Sequence, residues 1–281
     1  MNKPFKALVL LALGIYLPVH VAGQEKFVQP YTLFHAVPAD QMREMTTDRP
    51  DVTESPFTVD AGHVQYEADL IRNVRERSEQ AETNTWLINQ FSFKIGLLPS
   101  TAIEVGFETY GKEAERSLVS GTRQTSRGTG DLTLRVKQNL LGNDGDGLGL
   151  ALLPYCKFPT SQYDSESMFE GGLIVPMHYT LPGEWDLGMQ LEVDRLKDQD
   201  QQALHTEWLQ SLTVAHALFK KLDGIAETYY TYDFKAHQWT SYLNAALQVE
   251  VFKDVKLDAG LNYGIQKTAE KHYFLGASCR F

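Results

Sequence analysis

The chain has 281 residues, a formal net charge of −10, 43% hydrophobic side chains and two cysteines. An acidic chain with no basic cluster along its sequence excludes nucleic acid as a partner. Cys156 and Cys279 are too few for a disulfide framework or a zinc-type cluster.

The first element is an export signal. Lys3 and Lys6 precede the apolar run Ala7 to Leu17, and small residues follow around Val21-Ala22-Gly23. That order is a secretory signal peptide, removed near Gly23. The run is too short for a membrane helix, which needs roughly 20 apolar residues, and no later segment is long enough either. A membrane is not thereby excluded, because a closed β-barrel also satisfies its backbone internally.

Residues 24–62 carry Pro30, Pro38, Pro50 and Pro56 and show little alternation. They form a periplasmic lead-in or a plug, and 63–281 form the barrel.

From Gly62 onward the hydrophobic period is two. In Trp185 to Asp194, Trp185, Leu187, Met189, Leu191 and Val193 share one face, with Asp186, Gly188, Gln190, Glu192 and Asp194 on the other. Val255 to Gln266 repeats the pattern. Such runs exceed the soluble-strand norm of about 5–6 residues and match the ~10-residue alternating segments of a membrane barrel. The alternation predicts twelve strands: 63–73, 84–97, 101–110, 130–141, 147–158, 171–181, 184–195, 206–220, 224–233, 238–252, 255–266 and 271–281.

The intervening connections alternate between short and long. Short ones fall at 98–100, 142–146, 182–183, 221–223 and 253–254; the longest is 111–129. Short periplasmic turns alternating with longer external loops define an outer-membrane barrel, and an even strand count leaves both ends in the periplasm. A secreted β-sandwich or lipocalin-like barrel also alternates, but has no reason to alternate its loop lengths. Pro154 and Pro176 fall inside strands, where a closed barrel tolerates proline poorly; they are expected to face each other across one break.

The most distinctive stretch is Asp48 to Gly62, DRPDVTESPFTVDAG. Asp48, Asp51 and Glu54 are acids three apart, punctuated by Pro50 and Pro56. They suit a rigid turn segment whose Asp and Thr side chains bond nearby amides. Oxygen ligands suit calcium or magnesium, but the spacing is not that of a calcium loop, so no metal site is assigned. TDRPDVTESPFTVDAGHVQYE, GTGDLTLRVKQNLL (128–141) and LALLPYCKFPTS (150–161) together resemble the outer-membrane transporter family labelled by a meta-pathway of phenol degradation. Ser161 stands where that family usually ends its motif on Gly. The signature residues are Asp48, Arg49, Pro50, Asp51, Thr53, Glu54, Ser55 and Pro56. The resemblance implies a barrel concerned with passage of small, aromatic compounds, and supplies no catalytic residues and no cofactor.

The C-terminus agrees. Tyr273, Leu275, Ala277, Cys279 and Phe281 alternate to a terminal aromatic, like the signal by which the barrel-assembly machinery takes up outer-membrane barrels. HExxH, GxSxG, P-loop and GxGxxG motifs are absent. A rim phospholipase with a Ser-His pair is the enzymatic alternative, and a structural or adhesive barrel is another. His216 falls on an apolar face, His178 and His272 on polar faces. Trp86, Trp185, Trp208 and Trp239 lie near strand ends, where interfacial girdles use tryptophan and tyrosine; Tyr230 and Tyr232 join them.

Strand register yields the interior. Lys94 should oppose Glu104, Glu104 should oppose Arg135 or Lys137, and Asp258 should oppose Arg280, with Glu108 on the same inner face. This gives a narrow lumen of mixed sign with weak ion selectivity. The expectation is an all-β, antiparallel up-and-down barrel of about twelve strands in the bacterial outer membrane. It contacts lipid and passes or binds small solutes.

Overall fold

A computed structural model describes residues 30–145, 147–164, 167–198 and 203–281; the expected signal peptide lies outside them. Alternation becomes strand: β1 (Val64–Arg77), β2 (Ala81–Leu98), β3 (Thr101–Ser117), β4 (Arg123–Gly128), β5 (Leu132–Leu141), β6 (Leu148–Phe158), β7 (Glu170–Leu181), β8 (Trp185–Lys197), β9 (Leu204–Phe219), β10 (Leu222–Asp233), β11 (Gln238–Phe252), β12 (Val255–Gly264) and β13 (Lys271–Arg280). Every adjacent pair is antiparallel. β1 pairs with β13, from Gln65 opposite Arg280 to Arg75 opposite Lys271. That seam closes twelve strands into a barrel, so the ring has no open edge.

Polarity is inverted relative to a soluble protein. Leu212, Leu243, Leu257, Leu261 and Leu275 are 40–53% exposed on the outer face. Glu67, Lys94, Glu104, Lys137, Gln190 and Asp258 are buried on the inner one. Only a hydrocarbon surround makes an apolar exterior favourable over a continuous belt this size. Trp86, Trp185 and Trp239 remain 40–53% exposed. Tyr230 and Tyr232 pack on Trp239, with ring centroids 5.1 and 4.4 Å away. Both cysteines are free and half-buried.

Three expectations need correction. The stretch 111–129 is not a loop: β3 runs on to Ser117 and β4 returns against it, Gly111 opposite Gly128 and Arg116 opposite Arg123. Both faces of this hairpin leave the hydrocarbon and carry charge, so the period-two apolar signal disappears although the pairing persists. Pro154 and Pro176 do not face each other. Pro154 lies in a gap of the β5–β6 ladder between Arg135–Tyr155 and Gln138–Leu152. Pro176 lies in a gap of the β6–β7 ladder between Leu150–Met177 and Leu153–Ile174. Each missing N–H thus opens one ladder locally.

The third concerns Asp258, which opposes Gly276 rather than Arg280. β12 ends at Gly264, whose N–H bonds to the Glu270 carbonyl at 2.9 Å, so the connection is longer than the expected 267–270 turn. The register moves by four residues accordingly.

Val64 and Phe281 exchange backbone hydrogen bonds of 3.1 and 2.8 Å, placing the start of β1 and the chain end at one rim. The short turns share that rim, which is the periplasmic side of an outer-membrane barrel.

Candidate functional site

Residues 30–62 run along and then into the barrel. At the periplasmic rim, Leu33 N–H bonds to the Leu97 carbonyl at 2.8 Å, and Gly62 N–H to the Gly96 carbonyl at 2.9 Å. Gly96 is required there: a Cβ would lie 2.1 Å from the Asp60 carbonyl oxygen. Arg43 clamps the return, its Nε 2.7 Å from Asp60 and its Nη1 2.7 Å from the Asn143 carbonyl.

Deeper, the proline-punctuated turn carries one charged or polar group toward each part of the wall. Asp48 accepts from Lys94 of β2 and, at 2.6 Å, from Lys137 of β5. Arg49 reaches Asp69 of β1 and Asp258 of β12, each at 2.6 Å. The Val52 and Thr53 amides and the Thr53 hydroxyl donate to Glu227 of β10 at 2.9, 2.8 and 2.5 Å. Glu54 meets Arg135 of β5 at 2.5 Å, and its amide donates to Gln190 of β8 at 2.7 Å. Ser55 N–H closes the turn on the Asp48 carboxylate at 2.8 Å, and Asn139 holds the Pro56 carbonyl at 2.9 Å. The Arg49–Pro50 peptide is cis. Proline fixes φ and removes a donor, so the turn keeps its polar groups aimed outward at the wall.

Register places Lys94 opposite Glu104, and Glu104 opposite Arg135. The ion pairs do not simply follow those rungs. Lys94 bonds Asp48 and Glu67, Arg135 bonds Glu54, and Glu104 approaches Lys137 at 3.3 Å. The inserted acids redirect the wall's cations. Glu108 stands higher, accepting from Gln90 at 2.8 Å and from the Tyr163 hydroxyl at 2.6 Å. The expected Asp258–Arg280 pair is absent. Arg280 bonds Asp254 at 2.6 Å and approaches Asp60 at 3.4 Å. Arg49 takes Asp258, lying over Gly276, where a Cβ would come within 1.9 Å of its Nη2.

Asp48, Glu54 and Glu104 bring carboxylate oxygens close enough together to suggest a metal. The Lys137 ammonium already occupies that position, 2.6 Å from Asp48, 3.3 Å from Glu104 and 3.8 Å from Glu54. Four acids (Asp48, Glu54, Glu67, Glu104) face three cations (Lys94, Arg135, Lys137), which leaves room for one proton. Burial and the neighbouring Asp48 charge push Glu54 up to about 8 against the pull of Arg135 and Lys137, so it holds a proton to higher pH than an ordinary carboxyl. Burial opposes ionisation of Asp48 too, but Lys137 and Lys94 outweigh it and hold that carboxyl well below the usual range. Burial and the Glu227 charge push Asp51 well up.

The turn divides the interior. A chamber of about 1120 Å³ opens above it and one of about 550 Å³ below; Asp48, Arg49, Asp51 and Glu54 line both. The upper wall presents fifteen carboxylates against six lysine and arginine side chains. Both signs line the upper chamber, with Arg72, Lys157 and Lys197 paired among its acids, but the balance there is acidic. Five partners of the turn were not among the luminal candidates: Glu67, which accepts from the Asp48 amide at 3.1 Å, Ser211, 2.6 Å from the Thr53 hydroxyl, and Asp69, Gln190 and Glu227. All five sit on the polar face of an alternating strand, but only the fold shows which polar residue meets the inserted chain.

Among the described residues, histidine hydrogen bonds go to carboxylates, backbone carbonyls or a tyrosine. His178 meets Asp186 at 3.1 Å, His272 meets Glu270 at 2.8 Å, and His63 bonds the Val37 and Phe281 carbonyls. His216 packs on Trp185 at 4.4 Å. None bonds a serine.

The fold is that of outer-membrane barrels. A crystal structure of an outer membrane channel from Pseudomonas putida F1 is similar at 12% identity and a TM-score of 0.60, covering 84% of this chain and 100% of that one. The translocator domain of the autotransporter NalP from Neisseria meningitidis is similar at 11% identity and a TM-score of 0.51, covering 78% and 88%. No curated protein matches. With a closed twelve-strand ring and an apolar exterior, the protein resides in the bacterial outer membrane. The family model described as "Putative MetA-pathway of phenol degradation" matches residues 47–281, beginning one residue before the Asp48 turn, and the chain belongs to that family.

Proposed function

We propose that the protein is a non-enzymatic outer-membrane channel whose lumen is plugged by residues 30–62, and that small solutes pass when the Asp48–Pro56 turn shifts. The observation that carries this reading is that one turn bonds β1, β2, β5, β8, β10 and β12 and separates two chambers. The lower chamber has the volume of a small-molecule site, and the upper one is somewhat larger. The family description directs attention to aromatic compounds. The acidic upper chamber adds a charge rule, because an excess of one sign in a cleft concentrates counter-ions and repels co-ions. Neutral and cationic solutes enter; anionic ones are disfavoured. The exposed Phe281 at the closing seam is the element offered to the barrel-assembly machinery.

Planar-bilayer recording of the mature chain, with and without residues 24–62, tests the plug. Deletion should raise conductance several-fold and leave the pore cation-selective. Equal conductance in the two forms, with equal thermal stability, would reduce the segment to a tether. A full-conductance pore that prefers chloride would remove the charge rule alone.

A further inference from the structure

The barrel exterior carries a second charge pattern of opposite sign, concentrated on β1–β4 and the start of β13 near the outer rim. Register places Asn73, Trp86, Lys112 and Arg127 in one row, Arg75, Asn84, Ala114 and Thr125 in the next, and Arg77, Glu82, Arg116 and Arg123 in the last. Lys271 continues the middle row opposite Arg75. Residues two apart share a face. That face is the outer one, because Trp86 is 40% exposed while the interleaved Glu113, Glu115, Gln124 and Ser126 line the upper chamber. All the arginines and Lys112 are exposed. Glu82 is the band's acid, held 3.2 Å from Arg77.

Two features point to an anionic ligand. Lys112 directly opposes Arg127, and Arg116 directly opposes Arg123. Like charges in cross-strand register repel unless an anion lies between them. The band also sits immediately above aromatic residues that fix its depth. Trp86, Tyr110 and Tyr273 are 39–43% exposed, the Arg75 guanidinium lies 5.6 Å from the Tyr273 ring, and the Lys271 ammonium lies 4.9 Å from the Tyr263 ring. Aromatic girdles lie at headgroup level, so the cations stand where the phosphates of the leaflet lie. A chain of net charge −10 with an acidic chamber behind this wall has no general excess of cations to place there.

We propose that this band is a docking surface for phosphorylated glycolipid headgroups of the outer leaflet. Arginine forks on β3 and β4 grip a phosphate monoester from two sides, the geometry in which guanidinium surpasses ammonium. The contact would orient the long β3–β4 hairpin over the leaflet.

The test uses the folded full-length mature protein in phosphatidylcholine nanodiscs, doped with bisphosphorylated lipid A or its dephosphorylated form. Native mass spectrometry reads the lipid retained. The wild type should retain the phosphorylated form at least roughly tenfold better, and Arg116→Gln/Arg123→Gln/Arg127→Gln should abolish that preference. Lys220→Gln/Lys253→Gln, on the periplasmic turns, should leave it intact. An Arg-to-Lys triple variant, which keeps the charge but loses the forks, should show a preference between those of the wild type and the glutamine variant, and guards against a folding defect in the latter. Equal retention of the two lipids by the wild type, or an equal loss in the periplasmic variant, would overturn the proposal. So would displacement of lipid A by millimolar inorganic phosphate, which would make the band a free-anion site.

Discussion

Replacing Arg49 by methionine removes the cation that ties the inserted turn to β1 and β12. Its guanidinium bonds Asp69 and Asp258 at 2.6 Å each, its side chain is 12% exposed, and the two carboxylates are 3% and 0% exposed. Arg72 still serves Asp69 at 2.5 Å, so the uncompensated charge falls mainly on Asp258. Removing one partner of a buried pair costs about 3–5 kcal/mol, most of it from the carboxylate left behind. At 1.4 kcal/mol per tenfold, that shifts the equilibrium between seated and released turn by roughly 10²–10³ or more. Single-channel recording should show long open periods in place of brief ones. Arg49→Met with Asp258→Leu removes both charges, and should recover most of the closed behaviour, because apolar replacement of a whole buried pair is often neutral. An Arg49→Met variant that folds and conducts like the wild type would refute this role for Arg49. A double variant as open as the single one would refute it too, for then the orphaned carboxylate is not the source of the cost.

The same seat should respond to pH. Glu54 is raised in the seated state to about 8, so its contribution is full below the ordinary carboxylate range and is lost as pH rises toward 8. Each pH unit in that window weakens seating by up to about 1.4 kcal/mol. Conductance should therefore rise between pH 5 and pH 8, and Glu54→Gln should flatten the profile; a pH-independent wild type would count against it. Gly276→Ala places a methyl where Arg49 Nη2 lies, so it should raise open probability while leaving the melting temperature of the barrel nearly unchanged; equal gating would mean Arg49 relocates freely. For orientation, single cysteines at Ser120 and Asp144 in a background lacking Cys156 and Cys279 should label in intact cells at position 120 alone. Labelling at 144 alone would invert the barrel.

Alternation along 184–195 and 255–266 was enough to read lipid-facing strands, because a hydrocarbon surround imposes period two on every residue that crosses it. Loop-length alternation supplied the topology, and the tight turn at 98–100 supplied the Lys94–Glu104 register, because a short hairpin leaves the pairing little freedom. Where the chain leaves the membrane that constraint ends. The β3–β4 hairpin beyond the hydrocarbon has two polar faces and reads as loop, and the longer 265–270 connection let β12 and β13 slip four residues from the expected pairing. The acids and prolines of 48–56 marked the inserted turn as unusual but not its partners. Glu227, Asp258 and Gln190 lie far from it in sequence and look like any inner-face polar residue. Which of them meets Arg49 or Thr53 depends on the depth and rotation of the turn inside a closed ring, and only the tertiary structure sets those.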